Sequence, residues 1–133
     1  MSEELKADLI LVVEDVRETS DGIERLLKAD GYRVSLARDE LDAIESAKLR
    51  RPDLILLTWM GLSGEVLATV CRIRERAAVG DQIPVVFWVE DLDQGEVALE
   101  ENVHLTRPDN FNQLRGLLAR LLDERSSDEF ATE

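Results

Sequence analysis

The sequence lacks most of what would stabilise or anchor a chain from outside its own core. It holds one cysteine, Cys71, which excludes an internal disulfide framework and fits a reduced, cytoplasmic setting. Its longest apolar runs, such as Leu9–Val13 and Val85–Val89, are about five residues, whereas a bilayer span needs roughly 18. No transmembrane helix is therefore expected. The opening Met1–Asp8 is acidic, unlike the basic start of a secretory signal. Positive charge is also scarce. Against 29 Asp and Glu stand 16 Lys and Arg, a formal net charge of −13. Such a chain repels phosphate backbones, so neither nucleic acid nor an anionic membrane is an expected partner.

What is present suffices for one self-sufficient domain. The chain has 133 residues, 44% of them apolar, and a chain of this size buries about two-thirds of its unfolded surface without disulfide or metal. Two patterns alternate along it. Short continuous apolar runs occur at Leu9–Val13, Tyr32–Ala37, Leu54–Leu57, Pro84–Val89 and Val103–Leu105, the appearance of strands buried on both faces. Between them lie stretches with helical spacing. Ile23, Leu26 and Leu27 precede Gly31, a helix stop. Leu41, Ile44 and Ala47 follow Asp39 as N-cap, with Pro52 beyond the end. Val66, Leu67, Val70 and Ile73 form a third face, beside which Cys71 reads as a small buried hydrophobe. Phe111, Leu114, Leu117, Leu118, Leu121 and Leu122 form the last. The segment Asp91–Glu101 is apolar-poor and reads as a short or frayed helix.

Five such strands alternating with helices imply βαβ crossovers. The expected fold is α/β, a (βα)5 doubly wound five-stranded parallel sheet over residues 9–122. It follows an N-terminal extension, 1–8, and precedes an acidic C-terminal tail, 123–133, expected to be disordered. In such sheets ligands collect at the carboxyl ends of the strands. The residues placed there are Glu14 and Asp15 after strand one, Thr58 after strand three, Val89 and Glu90 after strand four, and Arg107 with Pro108 after strand five.

At this point the chain resembles the receiver domain of bacterial response regulators, a flavodoxin-like fold. Leu9–Asp15 (LILVVED) resembles the opening strand and acidic pair, and Pro52–Leu57 (PDLILL) the strand that leads to the phosphoacceptor aspartate. Ile83–Val86 (IPVV) resembles strand four, and Arg107–Pro108 the family's Lys-Pro. The resemblance spans about residues 9–122. It implies a place in two-component phosphorelay signalling, with no catalytic residues of the chain's own.

The departures fall on the chemistry. Thr58 stands at the phosphoacceptor position, Val89 where a hydroxyl residue is expected, Arg107 in place of the lysine and His104 at the aromatic switch position. The loop after Thr58 lacks the family's Pro. Mg²⁺ requires hard oxygen ligands, and a neutral hydroxyl is both a weaker ligand and a poor nucleophile without a positioned base. No metal site or other cofactor is therefore expected, Mg²⁺ binding being weak or absent. A cation can still relieve the repulsion between adjacent carboxylates, and the planar fork of Arg107 is expected to pair with Glu14 or Asp15.

The expected function is an atypical receiver acting as a phosphorylation-independent protein-binding module, with a signalling protein or a second copy of the chain as partner. Because the chain ends about a dozen residues after the last helical stripe, its effect is expected to come through docking, as with other interaction modules. Trp59, Trp88, His104 and Phe111 are the candidate contact residues, since aromatics dominate interface energetics. Two rivals remain. One is a working receiver phosphorylated on Glu14, Asp15 or Thr58. The other is a nucleotide- or flavin-binding enzyme on the same fold, although no glycine-rich loop follows strand one, where Val16–Asp21 carries several charges.

Overall fold

The computed structural model describes residues 8–58, 63–88, 96–99, 102–106 and 110–131. Strands and helices alternate as expected over the first seven elements. They are β1 (Leu9–Val13), α1 (Arg17–Ala29), β2 (Arg33–Ala37), α2 (Glu40–Leu49), β3 (Leu54–Leu57), α3 (Ser63–Ala77), β4 (Val85–Trp88), β5 (Glu96–Leu99), β6 (Val103–Thr106) and α4 (Phe111–Ala131). The sheet runs in the order β2-β1-β3-β4-β6-β5. All neighbouring pairs are parallel except β5–β6.

The two central strands are apolar at every position because both faces are covered. Every residue of β1 and β3 is buried. Leu11, Val13, Ile55 and Leu57 pack with Ile44 of α2 and with Val70 and Ile73 of α3. Ile10, Val12, Leu54 and Leu56 pack on the opposite face with Ile23 and Leu27 of α1 and with Leu114, Leu118 and Leu122 of α4. Asp39 caps α2 as its position suggested, its carboxylate accepting from the N–H of Asp42 at 2.8 Å. Gly31, at φ +96°, carries the chain out of α1.

Four of the expectations are corrected. The sheet has a sixth strand: the segment read as a short or frayed helix contains β5, antiparallel to β6. Three residues separate Leu99 from its ladder partner Val103, and the last of them, Asn102, has φ +65°. That is the length and the left-handed residue of a three-residue hairpin connection. Among the described residues there are therefore four helices, not five. The last helix also runs past Leu122 to Ala131, since residues 117–131 contain neither Pro nor Gly to stop it. Cys71 is exposed, because the buried side of α3 turns through Val70, Ile73 and Ala77. Leu67, Leu26 and Leu41, each counted on a core face, are 45%, 45% and 68% exposed.

Candidate functional site

Strand order reverses at β1, which lies between β2 and β3, and this switch point opens a crevice at the carboxyl ends. Backbone bonds hold its two key residues just beyond the strands. The N–H of Glu14 donates to Ala37 O at 2.9 Å, and that of Thr58 to Val13 O at 3.1 Å. The parallel ladder therefore continues one residue further on each strand and fixes where both side chains start.

Between those anchors the side chains meet. The Thr58 hydroxyl donates to Oε1 of Glu14 and lies 3.3 Å from Val13 O. Oε2 of Glu14 accepts the N–H of Val16 at 2.8 Å. Val16 is the N-cap of α1 and has no side-chain cap of its own, so the Glu14 carboxylate supplies that function at the positive end of the helix dipole. Glu14 is only 7% exposed, and both of its oxygens have a protein donor. Asp15, by contrast, is exposed.

Two cavities open from this point. The smaller, about 140 Å³, is lined by Val13, Glu14, Asp15, Arg38 and Asp39, which places a cation, Arg38, beside the acidic pair. The larger, about 630 Å³, has a carboxylate end at Glu14, Asp15 and Glu18 and an apolar wall of Val16, Leu26, Trp88 and Phe111. Thr58 also lines it.

Of the residues singled out from the sequence, Glu14, Asp15 and Thr58 come together, and Trp88 and Phe111 share their crevice. His104 does not join them. Its Nε2 lies 3.0 Å from Oδ1 of Asn102, and it pairs with Val86, two residues before the carboxyl-end position of Trp88. Val89, Arg107 and Trp59 lie outside the described residues, and so does the expected pairing of Arg107 with the acidic residues. Sequence reasoning missed the Thr58–Glu14 bond, which joins residues 44 apart; Thr106, at the expected carboxyl end of its strand, is buried beside Trp88.

The donor set does not fit the Mg²⁺ that a receiver implies. Thr58 is neutral, Glu14 is committed to Thr58 and Val16, and among the described residues the exposed Asp15 and Glu18 are the carboxylates left on the crevice. A hard divalent ion prefers several oxygens arranged around it. Among the described residues no cluster of three or more His, Cys, Asp or Glu could hold a metal. Nor is any described helix long and apolar enough to cross a membrane.

No family model matches the chain. Curated relatives do. The response regulator MprA of Mycobacterium ulcerans (strain Agy99) is 32% identical over 114 residues, covering 84% of this chain and 47% of that protein. MprA of Mycobacterium sp. (strain KMS) is 29% identical over 124 residues, covering 90% and 53%. The chain thus spans about half the length of the curated relatives it matches. Among solved structures, the receiver domain of the sensor histidine kinase PA1611 from Pseudomonas aeruginosa PAO1, with a magnesium ion in its active-site cleft, is similar. Its TM-score is 0.63 and its identity 28%, over 88% of this chain and 98% of that one. The receiver domain of the hybrid histidine kinase CckA gives a TM-score of 0.64 at 26% identity, over 86% and 98%.

Proposed function

The chain is a receiver domain of the response-regulator type, and from that premise we propose that it works in two-component signalling as a protein-binding module that needs no phosphorylation. One observation carries the reading: at the position of the phosphoacceptor, the Thr58 hydroxyl is engaged by the buried Glu14 carboxylate. Phosphoryl transfer depends on positioning and on charge neutralisation around the transferred group. Among the described residues of the crevice, Glu14 and Asp15 are carboxylates beside the neutral Thr58, a donor set that is incomplete for a metal and that repels an incoming phosphate.

The crevice supplies a docking surface in its place. Val16 is 50% and Leu26 45% exposed, and Trp88 and Phe111 continue the apolar wall towards α4. An aromatic and aliphatic patch next to carboxylates suits a partner surface with an apolar centre and a basic rim. The proposed partner is another signalling protein, or a second copy of this chain.

Incubation with acetyl phosphate and Mg²⁺, followed by intact-mass measurement and partner capture with native and phosphodonor-treated chain, tests the reading. The expected result is no added phosphoryl group and identical capture. A hydroxylamine-labile adduct, characteristic of an acyl phosphate, overturns it.

The same Thr58–Glu14 bond favours one rival over the others. A carboxylate accepting from a hydroxyl is the arrangement of a general base beside a nucleophile. In that reading Thr58 Oγ1 attacks the donor's phosphorus, its proton passes to Glu14, and the donor's P–O bond breaks, leaving a phosphothreonine ester. A mass adduct that survives hydroxylamine and maps to Thr58 distinguishes this outcome from both the unphosphorylated reading and an acyl phosphate.

A further inference from the structure

Strand β2 forms one border of the sheet and pairs with β1 alone among the described strands. The bonds that tie it to its neighbour use alternate residues. The N–H of Arg33 donates to Asp8 O, and Ala37 O accepts from the N–H of Glu14. Successive residues of a strand direct their N–H and C=O groups to opposite sides, so those of Val34 and Leu36 point away from β1, along the outer border. Among the described residues no hydrogen bond reaches either of them. Proteins commonly blunt such an edge with Lys, Pro or a bulge. The sequence of β2, Arg-Val-Ser-Leu-Ala, contains neither Lys nor Pro, and its register with β1 is unbroken over all five residues. Val34 and Leu36 are also only half-buried, packed against the core beside Ile23 and Leu27.

This strand is complementary to itself in reverse. Antiparallel pairing centred on Ser35 overlaps the whole of β2. Val34 then stands opposite Leu36 of the second copy as a hydrogen-bonded pair, and the two Ser35 residues face each other as a non-hydrogen-bonded one. The half-buried apolar side chains cover one another. Charge selects the same arrangement. Arg33 opens the strand and Asp39 follows its end, both exposed, with the backbone of Asp39 still extended at φ −155°. Reversal brings each Arg33 diagonally towards Asp39 of the other copy, whereas parallel pairing would set Arg33 beside Arg33, which is unfavourable. Pairing of β2 with a different strand of the next copy would build open chains, while pairing with itself closes. We propose that β2 strands of two copies pair antiparallel about Ser35, joining their sheets across a two-fold axis. A single strand pair is smaller than a standard interface of about 1,200–2,000 Å², so the dimer is expected to depend on concentration. It is independent of the crevice and of the state of Thr58, and stands whether or not the chain is phosphorylated.

The test uses the full chain with Cys71→Ser, since Cys71 is exposed and would crosslink by itself. Ser35→Cys places two thiols on Cα atoms about 4.5 Å apart, within disulfide reach, and is expected to give a disulfide dimer on mild oxidation with glutathione. Arg33→Cys, whose copies would stand roughly 13 Å apart along the strand direction, is expected to give none. Sedimentation over a concentration series is expected to show a reversible dimer. Val34→Lys should weaken it at least about tenfold, with circular dichroism confirming that the variant is folded. Hydrogen exchange at the Val34 and Leu36 amides is expected to be fast in dilute solution and slow in concentrated solution. A chain that stays monomeric at millimolar concentration overturns the proposal. So does a dimer that Arg33→Cys crosslinks as well as Ser35→Cys, because the contact then lies elsewhere or in another register. Slow exchange of both amides in the dilute monomer also overturns it, since a segment of the same chain then covers the edge.

Discussion

Thr58 and Glu14 are bonded side chain to side chain across the carboxyl ends of β3 and β1, the Thr58 hydroxyl donating to a carboxylate that is 7% exposed. The contact joins the two strand ends through one buried carboxylate. Its removal has a defined cost. In Thr58→Val, Oε1 of Glu14 keeps its buried position and loses its side-chain donor, a loss of about 1–3 kcal/mol for a charged acceptor. Thr58→Ser retains the hydroxyl and is expected to stay within about 1 kcal/mol of the native chain. Urea midpoints of the two variants, measured side by side, check this. Equal midpoints would show that the contact contributes nothing.

Placing an acid at position 58 acts differently. Thr58→Asp places a second carboxylate against Glu14 in place of its hydroxyl donor, and adjacent carboxylates cannot both ionise without penalty. The variant is expected to unfold at a lower temperature than the native chain at neutral pH. Millimolar MgCl₂ should raise its Tm and leave the native Tm unchanged, because three carboxylates then surround the cation. Thermal scans with MgCl₂ and with NaCl of matched ionic strength separate specific binding from screening. A native chain that gains as much from MgCl₂ as the variant would contradict the donor-set argument.

The parts of the fold that were legible in the sequence are those with unbroken chemical patterns. Leu9–Val13 and Leu54–Leu57 are apolar at every position and are buried throughout. Leu114, Leu117, Leu118, Leu121 and Leu122 form one helical stripe and all reach the core. Illegible parts depended on partners distant in sequence. Strand β5 has only Val97 and Leu99 in alternation within an acidic segment, too little to outweigh a helical reading, and Asn102 with its positive φ was the available turn signal. Leu26 and Leu67 have the right spacing and sit at the margin of their stripes, where the neighbouring element decides burial. At the site, the sequence placed Glu14, Asp15 and Thr58 at adjacent strand ends. It did not show that Thr58 donates to Glu14, because register between strands 44 residues apart sets that contact.

Helix ends offer a reciprocal pair of tests. Ala78 follows α3 with φ +59°, and Gly31 follows α1 with φ +96°. A Cβ in the left-handed region costs roughly 1–2 kcal/mol, which glycine avoids. Ala78→Gly is therefore expected to stabilise the chain by about 0.5–1 kcal/mol, offset in part by glycine's greater freedom when unfolded. Gly31→Ala is expected to destabilise it by about 1 kcal/mol even though no atom lies within 4 Å of the added Cβ. Opposite shifts of the urea midpoint check the pair, and shifts of the same sign would remove backbone conformation as their cause.

The pH response of the α2–α3 contact follows from one ion pair. Both guanidinium donors of Arg72, on α3, reach Glu40 at the start of α2, Nε to Oε2 at 2.7 Å and Nη2 to Oε1 at 2.9 Å. The hydrogen bonds from Arg72, reinforced by its charge and opposed by partial burial, hold the Glu40 carboxyl below its ordinary value of 4.5. A carboxylate whose folded pKa is depressed contributes stability above its unfolded pKa and loses it as pH falls through the folded one. The contribution is thus complete at neutral pH and fades below about 4.5. Its size is limited, since the Arg72 side chain is 44% exposed and solvent screens such pairs to under about 1 kcal/mol. Arg72→Met keeps the stem that packs on the helix and removes the fork. Its stability curve should lie below the native one at pH 7 and converge with it as pH falls through the depressed Glu40 value, with the gap at pH 7 narrowing in about 1 M NaCl. A gap that persists unchanged at acid pH would assign the loss to packing of the Arg72 stem instead of its charge.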